Sequence, residues 1–160
     1  MTGVRVTTPP EIPSQLDRPA AHRCTDAAER YHDEFGWACG ALDGEVWIRL
    51  ATGTGAAAVD QPLAGRLRDA LHSAEVHSPI VECPGRPGYW IFLVAGPRTL
   101  EPPTRVACSA HGMTYRGASR LIDLPPTQSP SGELRWIDPP TPGVIFPDLD
   151  ALLSALDALG

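Results

Sequence analysis

The stretch "ATGTGAAAVDQP", Ala51 to Pro62, decides how the rest of the chain is read. Gly53 and Gly55 mark a turn. "AAAVD" is a small apolar run of strand length that ends on one carboxylate, Asp60. Pro62 then suits the first turn of a helix, where its missing N–H has no intrahelical partner to lose. Turn, buried strand and helix in that order call for a sheet with a helix laid against it.

Downstream, "PLAGRLRDALHSA" places Leu63, Leu67 and Leu71 on one helical face. "SPIVECPGRPGYWIFLVAG" is a hairpin of two apolar strands around "PGRPG". A short helical or irregular stretch covers residues 99–109. "MTYRGASRLIDLPPTQSPSGELRWIDPP" alternates again, with a Pro/Ser/Gly loop between strands. "PDLDALLSALDAL" closes the chain with a stripe of Leu149, Leu152, Leu153, Leu156 and Leu159, and the acids at its start suit the helix dipole. Upstream, "WACGALDGEVWIRLA" is a hairpin turning at Asp43-Gly44, with Val46, Ile48 and Leu50 on one face. "TDAAERYHDEFGW" is the first helix, expected to be capped by Asp26 and ended by Gly36. The expected fold is α+β, with mixed or antiparallel sheets and flanking helices.

The chain has 160 residues, of which 42% are hydrophobic, enough for one domain with a core. Residues 1–22 read as a flexible Pro-rich tail, and residues 23–160 as a single domain. All 13 basic residues are Arg, which suits a high-GC bacterial genome. The net charge of −6 disfavours general nucleic-acid binding, since phosphate-backbone attraction needs clustered positive charge. No apolar run is long enough for a bilayer, and the N-terminus lacks an apolar leader, so no membrane partner and a cytoplasmic location are expected. Cys24, Cys39, Cys83 and Cys108 form no CxxC pair. Cys24 with His32 and Cys39, or Cys108 with His111, match no common zinc spacing, and no metal site is expected.

Three segments, in order, carry a resemblance. "ERYHDEFGWACG", "LATGTGAAAVD" and "YRGASRLIDLPPTQSPSGELRW", with "PGRPGYWIFLVAG" between the last two, resemble the bifunctional DNA primase/polymerase N-terminal (prim-pol) domain of the archaeo-eukaryotic primase superfamily. The match covers most of residues 26–155 and looks closest to the short, stand-alone, degenerate actinobacterial versions. It implies a primase-polymerase-like two-layer sandwich. It also implies a D-x-D pair, a third acid before "RG" and a phosphate-binding His. These positions fall on Asp60 and Pro62, near Thr114, and near Tyr89 or Trp90. Only Asp60 is an acid. Two divalent metals need several carboxylates, so one surviving ligand does not hold them.

No confident catalytic residue emerges, and Asp60 is the surviving candidate. Gly53, Thr54, Gly55, Arg116 and Arg120 are candidates for nucleotide binding, while the plain alternative makes the glycines a tight turn and Asp60 a helix cap. Arg116, Arg120 and Arg135 are expected either to face one anion or to be solvated. Trp37, Trp47, Trp90 and Trp136 are expected in the core rather than as stacking platforms. His72 and His77 read as ordinary surface residues. Three functions follow. The first is a catalytically degenerate module that binds or regulates through a protein partner, with no cofactor. The second is a nucleotide- or DNA-binding module that keeps the pocket. The third is an active primase/polymerase using Mg²⁺ with displaced carboxylates among Asp43, Asp123 and Asp138.

Overall fold

The computed structural model describes the backbone of residues 8–160 and the side chains from residue 21 onward. Helix α1, Thr8–Phe35, leads into the hairpin β1, Cys39–Leu42, and β2, Glu45–Arg49. Its turn is Asp43 and Gly44, at φ 51° and 79°, the left-handed pair that a two-residue hairpin requires. Strand β3, Thr54–Asp60, runs directly into α2, Gln61–Ser73, with Pro62 in its first turn. The hairpin β4, Ile80–Cys83, and β5, Tyr89–Ala95, is followed by α3, Pro102–Ala110. Then come β6, Thr114–Arg116, and β7, Leu121–Asp123. A small hairpin follows, β8, Gln128–Ser129, with β9, Gly132–Glu133. Strand β10, Arg135–Asp138, precedes the closing helix α4, Leu149–Ala158.

The first helix differs from expectation. Asp26 lies inside α1 and caps nothing, because the helix begins at Thr8, within the segment read as a tail. Pro9 and Pro10 fall in the first turn, where no intrahelical N–H bond is lost, while Pro13 and Pro19 lie further in, each at the cost of one such bond. Counting prolines as breakers therefore put the start too late. Residues 1–7 of that segment lie outside the described residues. The far end is as expected: Gly36 stops the helix at φ 70°, its N–H donating to the His32 carbonyl at 2.9 Å.

The architecture is α+β, and every strand pair is antiparallel. Five strands form a sheet in the order β10-β4-β5-β3-β6, and three more form β1-β2-β7. Alternation along β3 divides the core. Ala57 and Val59 face a cluster with Leu67, Leu71, Phe92, Leu152 and Leu156, so α2 and α4 cover that side. Ala56 faces the opposite cluster with Tyr31, Val46, Ile48, Leu93 and Ile122, where the small sheet and α1 pack. The single alternating stretch expected over residues 113–140 is shared between the two sheets. Strand β6 pairs with β3, β7 with β2, and β10 with β4.

The tryptophans are structural. Trp37 and Trp136 pack with Tyr31, and Trp37 also packs with Phe35 and Phe146, all at ring-centroid distances of 4.9–6.5 Å. Trp47 lies so close over Gly40 that a Cβ there would come within 2.8 Å of its ring. Among the described residues, no helix is long and apolar enough to cross a membrane.

Candidate functional site

The C-terminal end of β3 opens a cleft of about 520 Å³. Its floor follows from strand alternation. Ala56, Ala58 and Asp60 point to one face of the five-stranded sheet, and register sets Arg116 opposite Ala56, Thr114 opposite Ala58 and Tyr89 opposite Asp60. The other wall is β7 with the β8–β9 hairpin, which brings Ile122, Asp123 and Leu134 across the gap. Two small alanines on the floor leave the space that larger residues would fill.

Asp60 occupies the N-cap position of α2, yet its side chain makes no capping hydrogen bond. The expected cap is present in position and absent in chemistry, which leaves the carboxylate to the cleft. Asp123 enters the same cleft from β7. Partial burial, reinforced by the Glu45 charge and incompletely offset by Arg116, pushes its carboxyl above the ordinary value. The sign has a consequence. An acid whose folded pKa is raised contributes stability below its unfolded pKa, about 3.9, and that contribution is lost as pH rises through the folded pKa. Asp123→Asn is therefore expected to raise the urea midpoint at pH 7, with the gain shrinking toward pH 4. A midpoint lower than wild type at pH 7 would show that the ionised Asp123 is a net stabiliser.

The positions singled out by resemblance separate clearly. Asp60, Thr114 and Tyr89 line one cleft, whereas Trp90, the neighbour of Tyr89 on β5, packs against the α2–α4 side with its indole N–H buried and unbonded. Pro62 is exposed in α2 and outside the cleft lining. Of the alternative acids, Asp123 joins Asp60. Asp138 is held by Arg68 through two bonds of 2.7 Å, with His72 at 3.3 Å, and these hold its carboxyl below the usual value. Asp43 belongs to the β1–β2 turn. Among the described residues, no three His, Cys, Asp or Glu side chains form a group that could hold a metal ion.

Gly53, Thr54 and Gly55 line neither this cleft nor the groove beside it. They are a turn. The Thr54 hydroxyl donates back to the Ala51 carbonyl at 2.7 Å, Gly53 takes φ 84°, and Gly55 gives room to the Tyr115 ring. Arg116 and Arg120 do converge, but with Arg98 and Arg105 rather than Arg135. These four line a groove of about 630 Å³ on the outer flank of β6. Arg135 pairs instead with Glu82 at 2.5 Å on the far edge of the sheet. Nothing local in the sequence marks Arg98 or Arg105, since neither belongs to a run of basic residues and Glu101 lies between them.

The thiols are sequestered. All four cysteines are free, and burial pushes Cys39 and Cys83 up to about 11, far from the thiolate form at neutral pH. His72 and His77 stack at 4.9 Å, and His111 meets Asp157 at 2.7 Å, tying α3 to α4. Comparison with protein-family models, with curated proteins and with solved structures finds no match for this chain.

Proposed function

We propose that the chain is a catalytically degenerate primase-polymerase-like domain that acts by binding, with the Asp60–Asp123 cleft as the seat of a protein partner. The observation that carries this reading is the composition of the cleft. Two carboxylates and Arg116 border an apolar floor of Ala56, Ala58 and Ile91 with Ile122 across the gap, and Thr114, the position the resemblance aligns with a third acid, carries no charge. Such a surface suits a partner segment that presents an apolar side chain beside a cationic or N–H donor group. The rim adds contact area, with Tyr89 41% and Leu121 45% exposed. Aromatic and aliphatic side chains held at a concave rim are favourable anchors for a protein interface.

One observation favours a second reading, an active polymerase with a displaced ligand: Asp123 shares the cleft of Asp60. A primer-extension assay with Mg²⁺ or Mn²⁺ separates the two. The binding reading expects no templated incorporation above a no-enzyme control. Incorporation that depends on the metal and disappears in Asp60→Ala restores the enzyme.

A further inference from the structure

We infer that the arginine groove on the outer flank of β6 is a site for a linked-phosphate anion, a di- or triphosphate, taken up without a divalent metal. This goes beyond the cleft reading and stands on different residues, Arg116 and Thr114 apart.

The first support is charge. The protein carries a net −6, yet Arg98, Arg105, Arg116 and Arg120 line one groove to which no Asp or Glu contributes. All four are exposed, and none makes an ion pair or side-chain hydrogen bond with a described residue. Arg23, Arg68 and Arg135, by contrast, each pair with a carboxylate. Arg116 also faces Asp123 across the neighbouring cleft, but Arg98, Arg105 and Arg120 meet no carboxylate in the groove; like charges gathered this way repel one another, and a bound anion relieves that repulsion.

The second support is construction. Three separate segments supply the arginines: the loop after β5, helix α3, and β6 with its following turn. Their backbones are tied together. The Tyr115 hydroxyl donates to the Pro97 carbonyl at 2.6 Å, next to Arg98. Gly117 lies directly against the Arg98 backbone, so close that a Cβ would fall 2.8 Å from the Arg98 Cα. The turn holding Arg120 is pinned to the end of β2: Ser119 N–H donates to the Leu50 carbonyl at 2.8 Å, and Leu50 N–H to the Arg120 carbonyl at 2.9 Å. Ser119 is held at φ 77°, a conformation that non-glycine residues rarely adopt and that surrounding contacts must impose. Thr99, Ser109 and Ser119 add hydroxyl donors around the groove.

The third support is stoichiometry. A single phosphate monoester carries about −1.5 to −2 at pH 7, enough for two guanidinium groups. Two or three linked phosphoryl groups match all four and suit a groove of about 630 Å³. With no carboxylate in the lining, the groove offers a divalent cation no charged ligand, and guanidinium forks do the neutralising. Free oligophosphate and the tail of a nucleoside triphosphate share this chemistry.

The test is calorimetric titration of the whole chain at low salt with chelator present, using orthophosphate, pyrophosphate and tripolyphosphate. Affinity is expected to rise along that series and to fall with added salt. Arg98→Ala with Arg105→Ala, and separately Arg120→Gln, are expected to weaken tripolyphosphate binding by about tenfold or more, because each removes charge-assisted bonds. Arg86→Ala, in the β4–β5 turn and outside both the groove and the cleft, should change nothing. All the replaced arginines are exposed, and thermal unfolding of each variant confirms that it folds. ATP binding like tripolyphosphate supports the site with the phosphate tail as the recognised part. ATP binding more tightly supports it with a nucleotide as the source. Equal affinity for orthophosphate and tripolyphosphate, indifference to the arginine substitutions, a requirement for Mg²⁺, or tighter binding of a single-stranded oligonucleotide than of either triphosphate overturns it.

Discussion

Alanine at both Leu152 and Leu156 is expected to leave the domain unfolded or insoluble. These side chains are 0% and 2% exposed, on the face of α4 that packs against α2 and the five-stranded sheet. Each truncation removes transfer energy and leaves a cavity, about 2–5 kcal/mol for a buried Leu. A domain has only about 5–15 kcal/mol of net stability, so two adjacent cavities take most of it. The competing idea, that the leucine stripe is a docking face for another chain, requires it to be exposed, and it is not. Urea unfolding followed by circular dichroism decides the matter. A double variant with the wild-type midpoint would remove α4 from the core.

Gly117→Ala is expected to damage stability and the arginine groove together. An added Cβ would lie 2.7 Å from the Arg98 carbonyl carbon and nearer still to its oxygen. The obstacle is backbone, which does not swing aside as the end of a side chain does. Overpacking of this kind costs about 1–3 kcal/mol. The strain is relieved by moving Arg98, so tripolyphosphate binding should weaken alongside. Arg98→Ala supplies the contrast, since it should weaken binding while leaving the urea midpoint near wild type. If Gly117→Ala binds and unfolds as wild type does, the close packing of the two segments is not what orders the groove.

The two variants probe different kinds of information. The leucine stripe is written at helical spacing within eleven residues, and Pro62, Asp43-Gly44 and Gly36 each act through backbone geometry confined to a turn. Those elements were legible because their physics is local. The first helix was misjudged at its start because its prolines were counted as breakers, whereas α1 carries Pro9 and Pro10 in its first turn and continues through Pro13 and Pro19. The candidate site was legible only in part. Asp60, Thr114 and Tyr89 were aligned by motif order, and strand register does place all three in one cleft. Gly53, Thr54 and Gly55 looked like a ligand loop because a turn and a phosphate cradle use the same glycines. Tertiary structure tells them apart: the three residues line neither cavity, and the Tyr115 ring packs against Gly55.

By itself, then, the sequence determined the α+β class, both long hairpins, helix α2 and the apolar face of α4, since alternation, helical period and turn chemistry are properties of neighbouring residues. Tertiary structure alone decided which distant charges meet. Asp123 lines the same cleft as Asp60 because β7 pairs with β2 while β6 pairs with β3, which folds the chain between them across the cleft. Arg98 and Arg105 join Arg116 and Arg120 because Tyr115 and Gly117 bind the loop after β5 to the edge of the sheet. Pairings of this kind depend on which strands share hydrogen bonds and which faces must be buried. That is a property of the whole packed chain, and no window of sequence contains it.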